Sequence, residues 1–296
     1  MKKYLKKIFL KINQTIYIFY IRHLKMYFRL SSYPYISGDT LRKYSDHVLD
    51  ETSNLKIDKI KKGDLVFVKT DYLKNFFIEL LPKINNNFKL VTHNSDINID
   101  FDMKKFVKNK DLEWYAQNLT FVPDSSDKIF PIPIGVENKH YFKNGILSHF
   151  DIKDIKKEYE IMCSFNINTN KKRIEVLNAI KSSENINFLR YSNHKEYIRE
   201  LSKHKFNICP EGNGVDTHRV WEGLLAKTVP IMLNSVFAQN LKSNDVPIIL
   251  LNNWDELADL NLRKIEEAYK LFEDRNFNDF TNIFYWLEKV NKKTLK

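Results

Sequence analysis

Residues 206–233, FNICPEGNGVDTHRVWEGLLAKTVPIML, constrain the fold more than any other stretch of the chain. A short apolar run leads into a loop with two of the seven glycines, a segment with helical spacing, and a second apolar run. Two strands joined by a helix within about 30 residues form a βαβ unit, whose strands are parallel. Because ligands of open parallel sheets bind beyond the carboxyl ends of the strands, the loop is a candidate binding site.

The same alternation of apolar runs and helical spacing extends through most of the chain. The predicted strands are 65–69, 88–92, 121–122, 129–134, 159–165, 186–190, 206–209, 229–233 and 246–251. The predicted helices are 41–54, 71–81, 112–119, 171–182, 194–203, 217–226, 257–272 and 277–292. Alternating strands and helices predict an α/β fold built on parallel sheets.

A polar and charged stretch at 145–157 separates two such α/β series. The chain of 296 residues is long enough for two domains that each bury a core. We therefore predict a domain of residues 37–155, a second of residues 156–262, and C-terminal helices in 263–296 that return toward the first domain. Residues 1–36 precede them as a basic amphipathic segment and a linker.

The net charge of +11 is concentrated at the N-terminus. Residues 1–30 hold eight lysines and arginines and no acid, and the rest of the chain is close to neutral. A nucleic-acid groove spreads basic residues over the folded body, so this distribution argues against a nucleic-acid partner. The two cysteines, Cys163 and Cys209, form no CxxC pair, which predicts buried free thiols, a reducing compartment and no structural zinc.

The N-terminal segment places apolar side chains on one helical face and lysines and arginines largely on the other. Its apolar core is only about half of the roughly 20 residues that a spanning helix needs. It also lacks the small-residue cleavage site of a signal peptide. A basic amphipathic helix predicts peripheral contact with an anionic membrane, here at the cytoplasmic face. A helix packed on the protein body is the alternative interpretation.

The helix that follows the central loop carries two side chains of opposite charge. Its N-terminus suits a phosphate, and the Arg219 guanidinium can clamp a diphosphate through two hydrogen bonds. Glu222 lies one turn further on the same side as His218 and can accept hydrogen bonds from a sugar hydroxyl. Asp216 is the predicted N-cap of this helix. By spacing alone, an exposed Arg219–Glu222 ion pair with His218 in solvent is the better explanation, because charge pairs three residues apart are common on helices.

The sequence EGNGVDTHRVWEGLLAKTVPIM, residues 211–232, resembles the donor-binding motif of exostosin-like glycosyltransferases and of related capsule and lipopolysaccharide transferases. These are GT-B enzymes, and the motif is more distantly similar to that of fucosyltransferases. The resemblance implies two Rossmann-like domains facing a cleft, with the second holding a nucleotide-sugar. It also implies that Arg219 binds the diphosphate and Glu222 the ribose. Lys227 departs from the motif, which usually has glycine there.

A second polar loop, at 164–173, follows the first strand of the second domain. In similar transferases the corresponding loop supplies a basic residue to the diphosphate, which implies this role for Arg173. A solvated arginine at a helix start is the alternative. The predicted donor-binding residues are Glu211, Gly212, Asn213, Gly214, Asp216, Thr217, His218, Arg219 and Glu222, with Thr169, Asn170 and Arg173.

In the first domain, the segment 92–96 lies at the carboxyl end of a predicted strand. An inverting sugar transfer needs a base for the acceptor hydroxyl, and Asp96 and His93 are the candidates, with Asp71 as a further one. We favour Asp96; a histidine at such a position is more often a hydrogen-bonded structural residue, which is the alternative for His93. The DxD at 100–102 lacks the context of a metal site, and we predict no metal. Arginines and helix N-termini would then balance the diphosphate charge.

These features together predict a glycosyltransferase that acts in cell-surface polysaccharide or glycoconjugate synthesis. Its donor is a nucleotide-sugar, its acceptor a glycan or a lipid-linked glycan, and no cofactor is required. A non-enzymatic nucleotide- or glycan-binding protein of the same fold is the alternative.

Overall fold

The structure is a computed structural model that describes residues 12, 15–16, 19, 29–108, 110–141, 143–152, 155–181, 183, 185–259 and 261–292. These residues form two compact units, one within 1–119 and 123–147 and the other within 120–122 and 148–296. Each unit contains a five-stranded, wholly parallel sheet. The predicted α/β class, with two Rossmann-like sheets, is confirmed.

The first unit orders its strands sequentially, β1-β2-β3-β4-β5. The strands are β1 (His47–Leu49), β2 (Leu65–Lys69), β3 (Lys89–His93), β4 (Glu113–Ala116) and β5 (Ile129–Pro131). The α-helices are α1 (Gly38–Lys43) and α2 (Leu73–Asn75), the latter continued by a π-turn over Phe76–Leu80. All of β3 and most of β2 are buried, as expected for central strands of a parallel sheet covered on both faces.

Three sequence-based predictions in the first half of the chain are wrong. The predicted helix 41–54 is instead α1, which ends at Lys43, followed by the edge strand β1. The predicted helix 112–119 is instead β4, because its residues pair in register with β3 on one side and β5 on the other. Residues 121–122 form no strand. The strands that form in place of the two predicted helices are only three and four residues long, too short for a period to identify, so tertiary pairing determines their structure.

The second unit has the order β10-β9-β8-β6-β7. Its strands are β6 (Tyr159–Cys163), β7 (Ile186–Phe188), β8 (His204–Ile208), β9 (Val229–Leu233) and β10 (Ile249–Leu251). Its α-helices are α3 (Arg173–Ala179), α4 (His194–Leu201), α5 (His218–Leu225), α6 (Val236–Lys242), α7 (Leu262–Lys270), α8 (Phe277–Thr281) and α9 (Ile283–Lys292). From β6 the chain runs outward to β7 and then returns to the other side of β6 as β8. This reversal is a topological switch point, where open parallel sheets bind ligands.

Helix α5 packs closely on the sheet and ends in a left-handed turn. A Cβ atom at Gly223 would lie 2.7 Å from Oδ1 of Asn207 on β8, so only glycine fits there. At the carboxyl end, the Thr228 amide donates to the Gly223 carbonyl and the Lys227 amide to the Leu224 carbonyl, as in a Schellman motif. Lys227 has a φ of 53°, a conformation that favours glycine. The helix end therefore keeps the geometry of the motif without its usual residue.

The C-terminal helices belong to the second unit by their contacts. Trp286 on α9 stacks edge-on against Trp221 of α5, with ring centroids 6.1 Å apart. Their return toward the first domain stays a prediction. Most of the predicted amphipathic segment 1–30 lies outside the described residues. Ile12, Ile16 and Phe19 are described as helical and are about half exposed. In the described ranges, no helix has the length and apolar character needed to cross a bilayer.

Candidate functional site

Arg173 links the two loops that flank the switch point of the second unit. The loop after β6 contributes the Asn166 carbonyl, which accepts a hydrogen bond from Nη1 at 2.7 Å. The loop after β8 contributes the Glu211 carbonyl, which accepts from Nε at 2.8 Å. The guanidinium also lies over the Phe165 ring, and the residue is only 3% exposed. The alternative of a solvated arginine at a helix start does not describe this side chain.

Arg219, in the first turn of α5, lies beside Arg173. Its Nε donates to the Ser164 carbonyl at 2.8 Å, directly after β6, and the residue is half-buried. Burial and the nearby positive charge of Arg219 lower the pKa of Arg173 to about 10. Two arginines from separate segments therefore converge on the carboxyl ends of β6 and β8.

No carboxylate forms a salt bridge with either arginine within the described part of the chain. Glu211 pairs with Lys172 at 3.3 Å, and Glu222 pairs with His194 at 2.8 Å. Asp216 Oδ1 accepts a hydrogen bond from the Trp221 indole at 2.9 Å. The exposed Arg219–Glu222 ion pair that spacing allowed does not form, since Glu222 is buried and has another partner. Like charges held together without a salt-bridged carboxylate favour binding of an anion.

The glycine loop lies against the same arginines. A Cβ atom at Gly212 would lie 3.4 Å from Nη2 of Arg173. The side chain of Asn170 donates to the Gly212 carbonyl at 2.8 Å, and the Gly212 amide donates to the Gly214 carbonyl at 3.0 Å. Thr169 precedes Asn170 in a short 3-10 turn and is half-buried, whereas Asn213 is exposed. These contacts fix the loop beside the arginine pair.

The N-cap residue of α5 makes no side-chain capping bond among the described residues. The prediction of Asp216 as N-cap is wrong, because its carboxylate is used by the Trp221 indole and Thr217 occupies the N-cap position. The Thr217 hydroxyl makes no capping bond, and its Oγ1 is buried without a hydrogen-bond partner among the described residues. The N-terminus of this eight-residue helix carries a partial positive charge, and its first two residues, His218 and Arg219, are half-buried there.

Glu222 begins a chain of hydrogen bonds that the sequence did not suggest. Its Oε1 lies 2.8 Å from Nε2 of His194, and Nδ1 of His194 lies 2.9 Å from Nδ1 of His149. Burial would raise the pKa of Glu222, but the His194 hydrogen bond and the nearby His218 and Arg219 outweigh it and hold that pKa below its usual value. His194 is the first residue of α4, and its position after a predicted strand was the only available signal.

In the first unit, Asp96 and Asp71 line one open pocket of about 450 Å³ at the carboxyl ends of β2 and β3. Its other lining residues are Lys69, Asn94, Ser95 and Ile97. Both aspartates are exposed, and Lys69 Nζ lies 3.8 Å from Oδ2 of Asp71. The structure thus brings together two of the three predicted candidates for the base, next to a lysine.

His93, the third candidate, is buried and 1% exposed. Its Nδ1 accepts a hydrogen bond from the Asn94 amide at 2.7 Å, and its Nε2 lies 3.0 Å from the Pro133 carbonyl. The fold uses both ring nitrogens, which leaves none for an acceptor hydroxyl. Asp100 of the DxD caps a 3-10 turn by accepting from the Met103 amide at 3.3 Å. In the described ranges, no group of three or more histidine, cysteine or carboxylate side chains is arranged to hold a metal.

No family model matches the chain, and no curated protein matches it. Several solved structures are similar. An α,α-trehalose-phosphate synthase (UDP-forming) from Burkholderia vietnamiensis is 10% identical, with 79% of this chain and 76% of that one covered and a TM-score of 0.44. The pneumococcal O-GlcNAc transferase GtfA, in complex with UDP and GlcNAc, is 11% identical over 80% of this chain, with a TM-score of 0.39; this chain spans 58% of its length.

The UDP-GlcNAc 2-epimerase from Methanocaldococcus jannaschii is 15% identical, with 78% of this chain and 77% of that one covered and a TM-score of 0.32. Sequence identities and TM-scores this low carry no conclusion about the activity or substrate of this chain.

Proposed function

We propose that the protein is a glycosyltransferase that takes a sugar from a nucleotide-sugar donor held by the second unit. One observation carries the proposal: Arg173 and Arg219 converge at the switch point of a parallel sheet without a carboxylate partner among the described residues. A diphosphate supplies the missing negative charge and presents oxygens that guanidinium groups bind through paired hydrogen bonds.

Each part of the site has a role in this proposal. The uncapped N-terminus of α5 and Arg219 bind the diphosphate, and Arg173 holds the two loops in place and adds charge. Gly212 allows the loop backbone to lie close to the ligand. Glu222 accepts hydrogen bonds from the ribose hydroxyls. As the sugar leaves, charge grows on the diphosphate, and fixed positive groups stabilise it most at that moment. The proposed transfer needs no metal.

For the acceptor, the first unit offers the pocket that contains Asp96. A carboxylate that is exposed and close to a lysine and a second aspartate is accessible to an acceptor hydroxyl, unlike His93. We assign Asp96 the role of base in an inverting transfer. The GT-B class and the likeness to exostosin-like transferases belong to this proposal.

The proposed acceptor is a glycan or a lipid-linked glycan of cell-surface polysaccharide or glycoconjugate synthesis. Support comes from the N-terminal segment, where lysines and arginines accompany the exposed, helical Ile12, Ile16 and Phe19. Apolar side chains on one face with surrounding positive charge fit an anionic membrane surface, which brings a peripheral enzyme to a lipid-linked acceptor. The cytoplasmic face is the proposed location.

A thermal-shift screen tests the donor site. ADP, CDP, GDP, UDP and their sugar conjugates are added to the full chain, and one of the nucleotide series raises the melting temperature by mass action. Incubation with the matching radiolabelled sugar nucleotide then separates an enzyme from a binding module, because only an enzyme releases the sugar to an acceptor or to water. A chain that no nucleotide stabilises would contradict the proposal.

A further inference from the structure

A buried chain of hydrogen bonds runs from Glu222 through His194 to His149, all within the second unit. Glu222 and His194 are 6% and 7% exposed, whereas His149 is half-buried and ends the chain nearer to solvent. His194 is at the start of α4, which follows β7, and Glu222 is on α5, which follows β8. This series of hydrogen bonds therefore lies at the same carboxyl edge of the sheet as the arginine pair.

Proton counting shows how the two histidines hold the carboxylate. An ionised Glu222 accepts the Nε2–H of His194. The two Nδ1 atoms are 2.9 Å apart, so one of them carries a proton and the other accepts it. With one proton between them the contact holds, whether His194 is neutral or charged. A second proton places two N–H groups against each other and breaks the contact.

We propose that His149 and His194 are positioning residues that hold Glu222 ionised and oriented toward the ribose, so that nucleotide affinity is lost when both histidines are protonated. This inference rests on the proposed function, because it gives the ribose-binding carboxylate its supports. One oxygen of Glu222 is fixed by His194. The other, Oε2, has no hydrogen-bond partner within the described residues and is left for a hydroxyl.

The groups around the two histidines favour the state with one proton between their Nδ1 atoms. Burial, together with His194 and Lys195, lowers the pKa of His149, so the pair resists a second proton near neutral pH. His218 and Arg219, on α5, add positive charge near Glu222. Among the described residues, the rings of Phe150 and Tyr197 also pack against His194. The Nδ1–Nδ1 contact is lost only where both rings carry a proton on each nitrogen, and the lowered pKa of His149 moves that point to lower pH.

The test measures how much of the nucleotide affinity comes from the ribose hydroxyls. Dissociation constants are measured by calorimetry between about pH 5 and 8 for whichever of ADP, CDP, GDP and UDP binds, and for its 2′,3′-dideoxy counterpart. A hydrogen bond to a charged group contributes about 1.5–3 kcal/mol, so the wild type prefers the ribonucleotide by about 10- to 150-fold at neutral pH. That preference disappears in acid.

Two substitutions of His149 separate positioning from general structure. His149→Asn keeps a polar amide near the Nδ1 position, which donates to or accepts from His194 without titrating, and it retains the preference at every pH. His149→Leu removes the contact and loses the preference at neutral pH. The matched control is His47→Asn, which we expect to behave as wild type. His47 is a half-buried histidine of the first unit whose Nε2 is hydrogen-bonded to Asp64 at 2.7 Å.

The outcomes distinguish the two proposals. If none of the four nucleotides binds, the proposed function is wrong and the role of Glu222 falls with it. If a nucleotide binds but the ribose preference is absent, or is unchanged in His149→Leu, the inference alone is wrong. Circular dichroism melting of each variant confirms that the fold is intact, so that a lost preference is not a lost structure.

Discussion

Replacing Arg219 shows separately what this side chain does to the stability of the unliganded protein and what it contributes to nucleotide binding. In the free protein, Arg219 contributes one charged hydrogen bond to the Ser164 carbonyl, worth about 1.5–3 kcal/mol. It also repels Arg173, whose pKa it helps to lower. A variant that removes both contributions, Arg219→Met, keeps the hydrophobic stem while discarding the charge. We expect the two effects to offset each other largely, leaving the stability of the unliganded protein within about 1 kcal/mol of wild type.

The nucleotide-bound protein responds differently. A nucleoside diphosphate at about 100 times its dissociation constant stabilises the wild type by about 2.7 kcal/mol. At about 2–4 °C per kcal/mol for a domain of this size, the melting temperature rises by about 5–11 °C. Losing a charged hydrogen bond weakens binding by about 10- to 150-fold. At the same nucleotide concentration the stabilisation then falls to between about 0.3 and 1.4 kcal/mol, or about 0.6–6 °C.

The assay is differential scanning fluorimetry of wild type, Arg219→Met and Arg219→Lys, each with and without nucleotide. The lysine variant keeps the charge but loses the planar fork, so its nucleotide-induced shift lies between the other two. Arg199→Met, an exposed arginine on α4, is the control for removing a positive charge. A full nucleotide-induced shift in Arg219→Met would refute the assignment of this arginine to the diphosphate.

Three further predictions concern other parts of the chain. Lys227→Gly raises the free energy of unfolding by about 0.5–1 kcal/mol in urea titrations, because relief of the left-handed conformation exceeds the added freedom of the unfolded chain; no gain would contradict the Schellman geometry. Burial lowers the pKa of Lys157 to about 7, so between pH 7 and about 10 the unfolded state binds a proton that the folded state lacks, and stability rises with pH. Lys157→Met flattens that rise, and an unchanged slope would exclude Lys157 as its source. Asp96→Asn lowers sugar transfer by about 10²- to 10⁴-fold without weakening nucleotide binding, and a larger effect in Asp71→Asn would move the base to that residue.

The central βαβ unit followed from the sequence because its signals are local. The apolar run of β9 matches its predicted bounds, and α5 is one residue shorter than predicted at each end. Glycines, apolar spacing and chain order placed the loop at the carboxyl edge of a parallel sheet without any tertiary information. The same local signals failed for β4, where four residues with an acid and two aromatics take their conformation from β3 and β5.

Side-chain partners depended on chain segments that are far apart in sequence. Arg173 was predicted as a ligand-binding residue, but its bonds to the Asn166 and Glu211 carbonyls exist only because β6 and β8 are neighbours. Glu222 is hydrogen-bonded to His194, 28 residues away, and His194 is hydrogen-bonded to His149 in the segment before β6. Asp216 accepts a hydrogen bond from the indole of Trp221, five residues further along, and is not the N-cap.

The sequence by itself therefore determined the α/β class, the division into two series and the loop that carries the candidate site, since these depend on periodicity and chain order. Tertiary structure decided the strand order, and with it the switch point that places two arginines together. It also decided which carboxylates are already paired. The physical reason is that periodicity is a property of neighbouring residues, whereas charge balance and hydrogen bonding depend on every group that folding brings within reach.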